Sequence, residues 1–184
     1  MKNNTRFGQE ISMKKIILIL SLTFISTQAF AGGEHEMPAI KSSLEFEKLK
    51  SLVGTWKGTS VDRGKTENAT VEYTLTSGGS ALVEKLFAGT PHEMVSVYHD
   101  TNGKLSMTHY CMLGNHPELE LVSERAGAME FDLKKNGSVD PKEQHMHGLR
   151  IERPDENTLV QKWQCWKDGK PEGLATVISL KRTS

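Results

Sequence analysis

Ala69-Thr70-Val71-Glu72-Tyr73-Thr74-Leu75-Thr76 alternates between apolar and polar side chains along its whole length. A period of two marks an extended strand with one dry and one wet face, because successive side chains leave the backbone on opposite sides. Val71, Tyr73 and Leu75 belong to the dry face; Thr70, Glu72, Thr74 and Thr76 belong to the wet one. Working outward, the same short-strand pattern recurs. A strand begins at 56–60, and another spans 81–87 after the turn Ser77-Gly78-Gly79. The segment 94–99 leads through Asp100-Thr101-Asn102-Gly103 into 104–112, which is a hairpin signal. Segments 118–123, 128–133, 144–152, 158–166 and 174–181 complete the series, separated by turn residues such as Asn136-Gly137 and Asp168-Gly169.

About ten short strands with almost no helix between them predict antiparallel neighbours, since parallel ones need long crossovers. A sheet of that size curls closed or splits into two layers. The expected fold is therefore all-β: an up-and-down antiparallel barrel with one N-terminal helix, or a β-sandwich as the alternative. The helix is predicted over 42–52. Ser42 and Glu45 form a capping box, Leu44, Leu49, Leu52 and Val53 make an apolar stripe with Phe46 nearby, and Gly54 ends it.

The N-terminal end reads as a secretory leader over 1–31. Lys14-Lys15, the apolar run Ile16 to Ile25 and Ala29-Phe30-Ala31 supply its three regions in order, with Met13 as a second candidate start. The run is shorter than the roughly 20 residues a membrane span needs. Residues 32–41 then read as a polar arm and 42–184 as a single domain. Removing the leader leaves 19 Lys and Arg against 22 Asp and Glu, a mildly acidic balance without the basic stripe that nucleic acid requires. No later apolar stretch is long enough to enter a membrane as a helix. Export also makes a disulfide between Cys111 and Cys165 chemically accessible.

Strand parity predicts what faces the interior. In 104–112, Leu105, Met107, His109, Cys111 and Leu113 share the more apolar face. In 144–152, His145 and His147 travel with Leu149 and Ile151. In 158–166, Gln161, Trp163 and Cys165 oppose Lys162 and Gln164. His99 shares a face with Val95 and Val97. Buried imidazoles need partners, because an unpaired buried polar group costs about 1–3 kcal/mol. His109, His145, His147, Gln161, Trp163 and Tyr73 are thus the expected ligand-binding residues, with Leu105 and Phe131 as further apolar wall. His145-Met146-His147 with His109 also has the makings of a three-histidine zinc or copper site. Asn115 and His116 could touch a ligand at one mouth, whereas Lys181 and Arg182 read as ordinary solvated charges.

Leu52-Val53-Gly54-Thr55-Trp56-Lys57-Gly58 resembles the opening of lipocalin-like and other calycin-like barrels, where a G-x-W begins the first strand. Met107-Thr108-His109-Tyr110-Cys111-Met112-Leu113-Gly114-Asn115 is similar to a segment of exported bacterial calycin-like proteins of unknown function. The resemblance spans most of 44–181. It implies a closed barrel whose end is sealed by the tryptophan, and it admits haem held by a single histidine. No hydrolase, metalloprotease, phosphate-loop or dinucleotide motif is present in the sequence. The functional expectation is an exported barrel binding a small, partly apolar molecule in a histidine-lined interior. The alternatives are a metal protein or metal-dependent enzyme on His109, His145 and His147, a haem-binding barrel, or a filled barrel acting through its surface.

Overall fold

The computed structural model describes residues 41–183, so the expected leader and nearly all of the arm lie outside the described residues. One α-helix, α1 (Leu44–Lys50), precedes the strands β1 (Gly54–Asp62), β2 (Lys65–Thr76), β3 (Ala81–Leu86) and β4 (Met94–Thr101). They continue as β5 (Lys104–Tyr110), β6 (Glu118–Arg125), β7 (Ala128–Leu133) and β8 (His145–Asp155). The last are β9 (Thr158–Lys167), β10 (Lys170–Pro171) and β11 (Thr176–Arg182). β1 to β8 pair antiparallel in chain order; β9 joins β8 to β11, and β11 returns to β1. Ten strands therefore close into a barrel, with β10 a two-residue spur on β9. Closure satisfies the ladder all the way round and leaves no long free edge. The barrel is the observed architecture, not the sandwich.

Two local features differ from the sequence reading. β1 and β2 run on to a tight hairpin whose last pair is Asp62 and Lys65. Arg63 (φ 47°) and Gly64 (φ 79°) both take positive φ there, as a two-residue hairpin turn requires. The helix is one turn shorter than expected and capped by Ser43, whose hydroxyl accepts from the Phe46 N–H at 3.0 Å. Asp100 selects that cap by holding both the Ser43 N–H and its hydroxyl. The buried stripe is consequently Phe46, Leu49 and Leu52, while Leu44 points to solvent.

Trp56 plugs the helix end of the barrel, and beside the plug lies a cleft of about 390 Å³ lined by Leu49, Leu52, Met129 and Ile151. Trp56 is fully buried, and its Nε1–H donates to the Leu52 carbonyl at 2.8 Å. The Arg182 guanidinium lies 4.2 Å from the Trp56 ring centroid and donates to the carbonyls of Ser51 and Val53. Arg182 is thus not simply a solvated charge: it ties β11 to the helix–β1 connection. At Gly58 the β1–β11 seam leaves no room for a side chain, which would run into the Ser179 carbonyl. Leu105 and Phe131 are buried in the core cluster with Leu82, Tyr98 and Met107.

Candidate ligand-binding site

At the opposite end the barrel opens. β5 places His109 on its inward face with Leu105 and Met107, as strand parity predicts, and the imidazole is almost fully buried. Cross-strand registry sets Tyr73, Glu84, Ser96 and His109 in one row across β2, β3, β4 and β5. Glu84 anchors this row. Its carboxylate accepts from the Tyr73 hydroxyl at 2.6 Å, from the Tyr98 hydroxyl at 2.9 Å and from the Gln161 amide. Burial pushes the Glu84 carboxyl above its ordinary value, against the pull of its donors Tyr73, Gln161, Tyr98 and Ser96. Gln161 reaches across from β9, and its Oε1 accepts from Trp163 Nε1–H at 3.0 Å. The Trp163 ring in turn lies 4.6 Å, centroid to centroid, from His109. The result is a belt of satisfied polar groups across the barrel's interior.

One atom of this belt is not satisfied. His109 Nδ1 lies 3.0 Å from Ser96 Oγ, while its buried Nε2 has no hydrogen-bond partner within the protein. Ser96 has a single proton and is among the groups that favour the ionised Glu84 carboxylate. Giving that proton to the carboxylate makes Ser96 Oγ the acceptor from His109 Nδ1–H, so Nε2 carries the lone pair. Burial pushes the imidazole pKa down to about 4, which keeps it neutral at physiological pH.

His109 lines a cavity of about 170 Å³ whose apolar wall includes Leu86, Phe87, Met94, Met146 and Trp163. A second cavity of about 230 Å³ adjoins it, sharing Asp62, Met94, Met112, Met146, Trp163 and Thr176. Side by side they reach the lower part of the roughly 300–1,000 Å³ range of small-molecule pockets.

The other expected site residues are placed differently. Tyr73 and Gln161 are buried in the Glu84 network, beneath the cavity rather than on its wall. His145 and His147 do not face the interior. Met146 pairs with Cys165 and Gly148 with Gln164, so His147 is an extra residue in β8 and parity changes there. Met146 takes the inward position, and His147 stacks on the outward-facing Trp166 at 3.6 Å between centroids. His145 Nδ1 lies 2.7 Å from the Glu143 carbonyl oxygen and its Nε2 lies 3.0 Å from His147 Nδ1. His147 Nε2 stands 3.3 Å from Asp132. The two imidazoles therefore bond to each other on the side of β8 away from His109, with His145 fully buried there. The three-histidine metal site does not form, and no group of three or more His, Cys, Asp or Glu side chains converges among the described residues.

β4 also presents the other face from the one expected. Ser96 and Tyr98 are fully buried, while Val95, Val97 and His99 are half-exposed. The network around Glu84 recruits the polar pair inward. Glu84 itself, with Ser96, escaped the sequence reading, although Leu82-x-Glu84-x-Leu86 places a lone carboxylate on an otherwise apolar face.

Cys111 and Cys165 are both free thiols rather than a disulfide, and both line the outer cavity. Cys165 Sγ faces Glu172 Oε2 at 3.6 Å, and burial, Glu172 and the neighbouring Cys111 all push its thiol pKa up. Asn115 holds the rim together, donating to the Gln144 carbonyl at 2.8 Å, and His116 stacks on Tyr110 at 6.1 Å. A scan against protein-family models finds no match, and no curated protein matches the chain.

Proposed function

We propose that the protein is exported and binds a small, partly apolar molecule in the open mouth of its barrel. The observation that carries this reading is the unpartnered Nε2 of His109, buried at the wall of a cavity that joins an apolar side to polar residues such as Asp62, Glu67 and His92. Leaving a buried acceptor unpaired costs about 1–3 kcal/mol, and a ligand bearing an O–H or N–H group offsets that cost on binding. Phe87, Met94, Met146 and Trp163 supply the apolar contacts, while the belt from Glu84 to His109 fixes the imidazole's orientation. This division between apolar walls and a few polar groups is common to small-molecule sites.

Haem is the weaker alternative, because the cavity reaching His109 is only about 170 Å³. A histidine-dependent metal enzyme loses its ligand set, since His145 and His147 lie on the side of β8 away from His109.

A donor-matching experiment tests the reading. Phenol and its methyl ether, anisole, are titrated while the His109 ring proton is followed by NMR. Phenol is expected to shift that signal and to bind more tightly than anisole, and His109→Leu is expected to abolish the preference. If neither compound perturbs His109 or Trp163, the interior is a filled core and the proposal fails.

A further inference from the structure

The outer half of the mouth carries chemistry that a neutral organic ligand does not use. The described residues contain five methionines and two cysteines. Met107 and Met129 are packed in the core. The remaining five sulfur side chains, Met94, Cys111, Met112, Met146 and Cys165, all line one cavity of about 230 Å³. They come from four segments: β4, the loop after β5, β8 and β9. Sequence proximity therefore does not account for their convergence. Core packing does not account for it either, because Met112 is 57% exposed and neither cysteine is fully buried. The bulge at His147 contributes directly, since it is what turns Met146 into the mouth.

We propose that this sulfur-lined mouth is a binding site for a soft monovalent metal ion, Cu(I) or Ag(I). Cys111 and Cys165 act as its thiolate ligands, and a thioether of Met112 or Met146 completes the shell. Thiolate and thioether donors favour such ions, whereas Zn(II) takes four nitrogen, oxygen or thiolate ligands in a tetrahedron. No cluster of three His, Cys, Asp or Glu forms among the described residues, so a zinc set is not present and a third donor here has to be a thioether. Binding exchanges two thiol protons for one metal ion, with no change of oxidation state. Two S–H bonds break and two metal–sulfur bonds form. Both protons pass to solvent, the one from Cys165 by way of Glu172, which already faces its Sγ. One univalent cation between two thiolates carries a net negative charge; Arg63 lines the same cavity and offsets part of it, while Asp62 and Glu172 add to it. This site goes beyond the small-molecule reading and does not depend on it, because His109 is not among its ligands.

The test uses the full, reduced chain in oxygen-free buffer. Cu(I) is titrated in competition with a chromophoric Cu(I) chelator, with Ag(I) and Zn(II) alone in parallel. The expected result is retention of one equivalent of Cu(I), release of two protons, loss of retention in Cys111→Ser and Cys165→Ser, and weakening in Met112→Leu or Met146→Leu. His109→Leu is expected to retain the metal, which separates this site from the small-molecule cavity. If the serine variants do not fold, Ag(I) protection of both thiols from iodoacetamide gives the same answer on the unmodified sequence. Cu(I) retention unchanged by the serine variants overturns the proposal. So does tighter binding of Zn(II) than of Cu(I), or equal alkylation with and without Ag(I).

Discussion

The two ends of this barrel are made from different materials. At the helix end, Trp56, Phe46, Leu49 and Leu52 are fully buried, and Arg182 closes over the tryptophan while holding two carbonyls. At the mouth, the equivalent positions are thioethers, free thiols and one imidazole around adjoining cavities. Close-packed aromatic and branched side chains specify a single arrangement, whereas methionine is unbranched and adaptable. The plug therefore sets the barrel's shape, while the mouth, like the cleft beside α1, has room for a guest. The Glu84 belt divides them.

Breaking the plugged end should cost most. Trp56→Ala removes the largest buried side chain and is expected to destabilise the fold by about 3–5 kcal/mol in urea denaturation. A loss below about 1 kcal/mol would show that the barrel does not depend on its plug. Arg182→Ala tests the clamp over that plug. A loss of about 1 kcal/mol is expected from the cation–π contact in the same denaturation, smaller in high salt than in low salt.

At neutral pH the smallest effect is predicted at the mouth, and it grows as the pH is lowered. His109 is held at about 4 in the folded state, below its unfolded value of 6.5. Below 6.5 the unfolded chain takes up a proton that the native imidazole refuses, so the stabilisation is present above 6.5 and is lost as pH falls towards 4. Glu84 has the opposite sign. Its raised carboxyl contributes stability below the ordinary glutamate value that is lost as pH rises through its folded value. His109→Leu should leave stability at neutral pH nearly unchanged and remove the histidine slope, leaving the glutamate one. A pH series of urea midpoints reads both.

The architecture was legible because period two survives in most strands and the turns carry their usual residues. Val71 and Tyr73, and Leu105, Met107 and His109, are buried as their alternation indicates, whereas Leu75 is exposed where β2 runs out and Ser106 is buried on the other face of β5. The site was only partly legible. Parity carries His109 and Trp163 to the cavity, and it carries Gln161 and Tyr73 to the interior but not to the wall. It fails at His147, because a single inserted residue reverses the faces on either side and no local composition announces it. It fails on β4 for another reason. Val95 and Val97 look like core, but Ser96 and Tyr98 have partners on β3 and β5 that only the assembled sheet reveals.

The seam between β1 and β11 has a kinetic consequence. β1 can pair with β2 as soon as the first hairpin forms, but its other edge waits for residues more than a hundred positions later in the chain. Until then Gly54–Asp62 presents an open ladder, the condition under which strands recruit the wrong partner. Lys57, exposed within that stretch, is the kind of charge that discourages such pairing. Contacts this distant in sequence place the barrel among slow-folding topologies, so closing the ring is the expected rate-limiting event. Gly58, which permits the two backbones to meet, would then govern how fast the barrel forms as well as how tightly it is sealed.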